Sequence, residues 1–99
     1  MNITGYEIEK LIDPTGILEG DRYEFFVDIE VDKEDEMYSE NGLYIRLILA
    51  VQGEKSWITQ YHIYEKSTEK YLDFALDEEE EEELLQFCKG IVSKENAEL

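Results

Sequence analysis

Four kinds of side chain in this 99-residue sequence could in principle do chemistry: one histidine, one cysteine, scattered serines and 26 carboxylates. A transition-metal site draws on several His or Cys ligands. His62 has neither type at ligand spacing. Cys88 falls at apolar helical spacing, where a free thiol behaves as a small hydrophobe. Thiolate chemistry needs a cationic neighbour, and Lys89 points about a quarter-turn away. Ser39, Ser56, Ser67 and Ser93 lack a nucleophile-elbow or triad context, and neither a GxGxxG stretch nor a P-loop is present. Carboxylate pairs of the kind used in glycoside hydrolysis can be drawn at will among so many acids, so none is informative. The reading is a non-enzymatic protein with no catalytic, cofactor or metal residue to nominate.

Two acidic clusters invite a binding role. Asp32, Glu34, Asp35 and Glu36, with Glu40, form one. The run Glu78 to Glu83 forms the other, with Glu79, Glu82 and Glu83 as its docking candidates. The first is no EF-hand, because the sixth position from Asp32 is Met37 rather than glycine. Solvated, solubilising faces explain both clusters. The functional alternatives are docking on a basic protein, imitation of a phosphate backbone to inhibit a nucleic-acid-binding protein, or binding of a small ligand or, weakly, of divalent cations.

The net charge of −17 is unevenly spread: −10 over residues 1–42, +1 over 43–72 and −8 over 73–99. Such a field repels polyphosphates and anionic membranes, which argues against direct nucleic-acid or membrane binding. No apolar run approaches the roughly 20 residues that span a bilayer, and MNITGYEIEK lacks the order of a signal peptide. One cysteine forms no internal disulfide. A cytoplasmic location is therefore expected. The 12 aromatic residues and the length point to one packed domain rather than a disordered chain.

Positioning of these groups follows from periodicity. Residues 2–12 alternate weakly and predict a first strand, followed by a type I turn at Asp13-Pro14-Thr15-Gly16. Tyr23, Phe25, Val27, Ile29 and Val31 share one parity and predict a second strand, half buried, with Phe26 an exception on the polar side. Asn41-Gly42 closes a polar connection. Residues 43–51 (LYIRLILAV) suit a central strand covered on both sides. A tight turn at Gly53-Glu54 leads to a fourth strand over 56–65. It would pair Leu49 with Ile58, Ala50 with Trp57, Arg46 with Tyr61 and Ile45 with His62. Tyr71 to Leu76 predicts a short fifth strand. From Asp77 the period becomes helical, with Leu84, Phe87, Cys88, Ile91 and Val92 in one stripe. Asp77 and Glu80 form a capping-box pair. The expected fold is α+β: a curved antiparallel sheet of about five strands with one C-terminal amphipathic helix packed on one face. The domain is expected to span 1–93, with 94–99 a frayed tail.

The segments DPTGILEGDRYEFFVDIEV, DEMYSENGLYIR and LDFALDEEEEEELLQFCKG resemble a family of small uncharacterised bacterial proteins from spore-formers and their relatives. The resemblance covers residues 1 to about 92 and implies no activity. Members of such families sometimes carry a label such as pullulanase. That label fails on size, since a (β/α)₈ barrel needs roughly 200 residues or more.

One helix covers one side of a sheet, yet residues 43–64 are apolar on both parities. Tyr44, Ile48, Trp57, Tyr61 and Ile63 are the candidate interaction face, docking another protein or a second copy of the chain. The competing reading is that strong curvature, with strand 1–12 and the 13–21 connection folding over, buries this face internally.

Overall fold

The structure, a computed structural model, describes residues 1–12 and 20–97, with side chains as far as Lys94. Its elements are β1 (Asn2–Leu11), β2 (Asp21–Glu30), β3 (Leu43–Gln52), β4 (Lys55–Glu65), β5 (Tyr71–Leu72) and α1 (Glu78–Ala97). The strands form one antiparallel meander in the order β1-β2-β3-β4-β5, open at both edges. The fold is the α+β arrangement that the periodicity predicts. β1 pairs only with β2 and does not fold across the sheet. The predicted turn at 13–16 and most of the 13–21 connection lie outside the described residues.

Alternation builds the core. Tyr23, Phe25, Val27 and Ile29 of β2 and Leu43, Ile45, Leu47 and Leu49 of β3 are buried on one side of the sheet. Onto them α1 lays its stripe: Leu84, Cys88 and Val92 are buried, and Phe87 and Ile91 are partly buried against the same core. Removing this much apolar surface from water supplies most of what holds the helix down. The helix start is the predicted capping box. Asp77 Oδ1 accepts from the Glu80 amide at 2.8 Å, and Glu80 Oε1 accepts from the Asp77 amide at 3.2 Å. The helix runs on to Ala97.

Gly53 stands at φ 62° as the first residue of the two-residue β3–β4 turn. That is the position where a tight hairpin of this hand favours glycine. From this turn the register starts as predicted, Ala50 against Trp57 and Leu49 against Ile58. It then slips. Thr59 is an extra residue, a β-bulge between Ile58 and Gln60, so Ile48 meets Gln60, Leu47 meets Tyr61 and Arg46 meets His62. The expected pairs Arg46–Tyr61 and Ile45–His62 are therefore wrong by one residue. A one-residue slip moves every later side chain to the other face.

Two further corrections concern connections. The predicted fifth strand ends at Leu72, because the chain turns under the sheet to bury Leu76 beneath the helix start. The 32–41 connection, read as merely polar, carries Met37 into the core. Asp35 Oδ1 accepts from the Met37 amide at 2.9 Å and fixes that entry. At the same end of the sheet Glu65 ties three loop residues together, accepting from Ser39 (2.7 Å), Thr68 (2.8 Å) and Asn41 (3.3 Å). Those bonds, the Ser39 hydroxyl foremost, hold its carboxyl below the ordinary value.

Candidate functional site

The side of the sheet that α1 leaves uncovered carries a ladder of aromatic rings across four strands. Phe26 of β2 lies 6.2 Å from Tyr44 of β3. Tyr44 stacks on Tyr64 of β4 at 5.2 Å with planes 16° apart. Tyr64 meets Tyr71 of β5 edge-on at 5.9 Å, and His62 joins Tyr71 at 5.7 Å. Register explains the ladder: Tyr44 is directly opposite Tyr64, and Tyr64 directly opposite Tyr71. Stacked and edge-to-face pairs at such separations are favourable contacts. They still leave Tyr71 50% and Trp57 39% exposed, with Phe26, Tyr44, Ile48 and Tyr64 half-buried.

Three cations on this side have partners within the chain. Arg46 donates through Nε (3.0 Å) and Nη2 (2.8 Å) to Glu24 Oε2 and lies 5.9 Å over the Phe26 ring. The Glu24 bond holds the guanidinium even more firmly protonated than usual. Lys66 pairs with Asp28 at 3.3 Å, and Arg22 sits 5.9 Å over Trp57. Desolvation raises the Tyr44 hydroxyl above its ordinary pKa. The strand acids of this face stand on β1 and β2, and Glu69 of the β4–β5 turn lies near enough to Tyr44 to add to the rise of its hydroxyl. Tyr44, Arg46, Ile48 and Ala50 of β3, Trp57, Gln60, His62 and Tyr64 of β4, and Tyr71 of β5 include no carboxylate.

The five residues expected to form one interaction face are thus divided. Tyr44, Ile48 and Trp57 stand on the open side. Tyr61 and Ile63 stand on the helix side, because the Thr59 bulge inverts everything after it. Ile63 is fully buried in the core. The Tyr61 hydroxyl accepts from the Leu76 amide at 2.9 Å and donates to Glu81 at 3.1 Å, fastening β4 to the helix start. Burial, aided by Glu81, raises its pKa, against the Leu76 bond, which lowers it. Sequence reasoning missed Phe26, His62, Tyr64 and Tyr71 as members of the open face. The signal for the last pair was the short Lys66–Lys70 connection, which sets Tyr64 against Tyr71.

The acidic candidates are dispersed. Asp32, Glu34, Asp35 and Glu36 are exposed in the loop where β2 returns to β3, beside an open groove of about 400 Å³ lined by Glu30, Asp32, Lys33, Tyr38 and Glu40. Glu79, Glu82 and Glu83 are exposed on α1. Among the described residues, no three His, Cys, Asp or Glu side chains are placed to hold a metal ion. Cys88 is buried and its thiol is pushed up to about 12 by desolvation. No helix among the described residues is long and apolar enough to cross a membrane.

Fold and face together define an open five-stranded meander backed by a single helix, one side of which displays bare aromatic rings. Within that class the chain belongs to a family of unknown function, DUF6509, which matches residues 1–95. No curated protein and no solved structure matches it. The family covers nearly the same residues as the resemblance read from the sequence.

Proposed function

We propose that this protein is a small non-catalytic binding module that docks another protein chain on the helix-free side of its sheet. The observation that carries this reading is the ring ladder Phe26–Tyr44–Tyr64–Tyr71, with Trp57 and Ile48 beside it, left uncovered by the molecule's own helix. Aromatic residues that stay half in water lose little conformational freedom on binding and present large contact area, which is why they anchor interfaces. Glu24 and Asp28 are already neutralised within the chain by Arg46 and Lys66, so a partner covering β2 and β3 meets little unpaired charge to desolvate.

In-cell photocrosslinking tests the reading. A photoreactive residue at position 48 or 57 should yield protein adducts, and one at position 86 on the outer surface of α1 should not. Equal yields from both surfaces, or no adduct from 48 and 57, overturns it.

A further inference from the structure

Resting on that reading of the face, we infer that its occupant is a second copy of the chain, packed sheet against sheet about a twofold axis parallel to β3. β2 and β4 flank β3, and their open-side residues fall in matched rows. The register sets Arg22, Ala50 and Trp57 in one row and Glu24, Ile48 and Gln60 in the next. Phe26, Arg46 and His62 form the third, and Asp28, Tyr44 and Tyr64 the fourth.

A twofold along β3 keeps each row at its height and lays β2 of one copy over β4 of the other. Arg22 then faces Trp57, Glu24 faces Gln60, Phe26 faces His62, and Asp28 faces Tyr64. Each is a cation on a ring, a carboxylate with a hydrogen-bond donor, or ring on ring. Packing angles near 30° for aligned sheets keep the two inner rows together. A twofold running across the strands also stacks these faces, but it lays β1 on β1 with heights inverted and brings Glu7 and Glu9 of one copy onto those of the other. Like charges set against each other disfavour that contact, so charge favours the first axis. Arg46 meets its copy on that axis while neutralised by its own Glu24 at 2.8 Å.

Strands of ten residues in a five-strand sheet offer roughly 600 Å² of flat area per copy at standard spacings. That is below the about 800 Å² per partner of a standard interface, so the association is weak. Each copy carries −17, and the two repel at long range. Salt therefore strengthens this pairing, whereas it weakens capture of a basic protein.

Sedimentation equilibrium of the purified chain, from about 20 mM to about 500 mM NaCl, reads this directly. The expected result is a monomer–dimer equilibrium that tightens with salt. Gln60→Glu should weaken it roughly tenfold by opposing Glu24 of the other copy, and Gln60→Lys should tighten it. Gln86→Glu and Gln86→Lys on α1 correct for the respective changes in net charge. Weakening by both Gln60 variants means β4 lies on β4 and overturns the axis. A monomer at every salt concentration overturns the second copy. In that case photocrosslinks from positions 48 and 57 to a different protein leave the face reading standing, and their absence removes it too.

Discussion

Cys88 shows how placement decides what a reactive side chain can do. Its sulfur lies in the core between Leu84 and Val92, and burial lifts its pKa to about 12. The reacting species in alkylation or disulfide exchange is the thiolate, so almost none is present near neutral pH. Reaction with a thiol reagent at pH 8 should therefore proceed only through unfolding. The native rate should fall far below that of a free cysteine and recover fully in denaturant, followed by absorbance or mass. A native rate matching the unfolded one would place the sulfur at the surface. The same logic governs Glu65, in the opposite sense to what crowding among 26 acids suggests. Crowding raises carboxyl pKa values, but three donors lower this one. Its contribution to stability is full above the unfolded carboxyl value and is lost as pH falls through the lower folded one.

At the scale of elements, β4 is the strand on which the rest depends. Its bulge at Thr59, where Thr59 Oγ1 donates to the Ile48 carbonyl at 3.3 Å, sends Tyr61 and Ile63 to the helix while Trp57, His62 and Tyr64 stay outside. Tyr61→Phe removes the acceptor of the Leu76 amide and the donor to Glu81. Leaving a partly buried amide unpaired should cost about 1–2 kcal/mol, visible as a lower Tm. Because its folded pKa is raised above 10.0, Tyr61's contribution is full below that pH and is lost as pH rises through the folded value. The deficit of the Phe variant should therefore shrink in alkali; a deficit that persists unchanged would mean lost packing instead. Much of the element layout could be read from the chain: the strict parity of β2, the Gly53 turn, the apolar stripe of α1 and the Asp77–Glu80 cap are local signals. The face was only half legible. Residues 56–64 are apolar on both parities and contain no glycine to mark the bulge, so periodicity had no means of counting the extra residue. Met37 and Leu76 were hidden for a related reason, since their burial depends on tertiary turns of the chain rather than on any period.

For the molecule as a whole, strand edges and charge decide how it meets other chains. β1 carries a bulge between Ile3 and Gly5, and β4, from Lys55 to His62, has no outer strand partner among the described residues and carries the Thr59 bulge. Bulges at edges disrupt strand addition, which accords with the proposal that association uses the aromatic side rather than the edges. The net charge of −17 works against compaction as well as against contact. On α1 the repulsion is local: Glu79 and Glu83, both exposed, are an i,i+4 like-charge pair, and Glu83 lies past the first turn that the helix dipole favours. Glu83→Lys turns that pair into an attractive one, in the favoured order of acid before base. The gain should be about 0.5–1 kcal/mol at low salt, the sum of a repulsion removed and an attraction made. By the usual scaling for a chain of this size, that is a rise of a few degrees in Tm. Salt screens both parts, so the difference between variant and native protein should fade as NaCl rises toward about 0.5 M, while the native Tm itself climbs. A native Tm indifferent to salt would show that the acids are compensated within the fold. An advantage of the Glu83→Lys variant that survives high salt would make its origin helix propensity rather than charge.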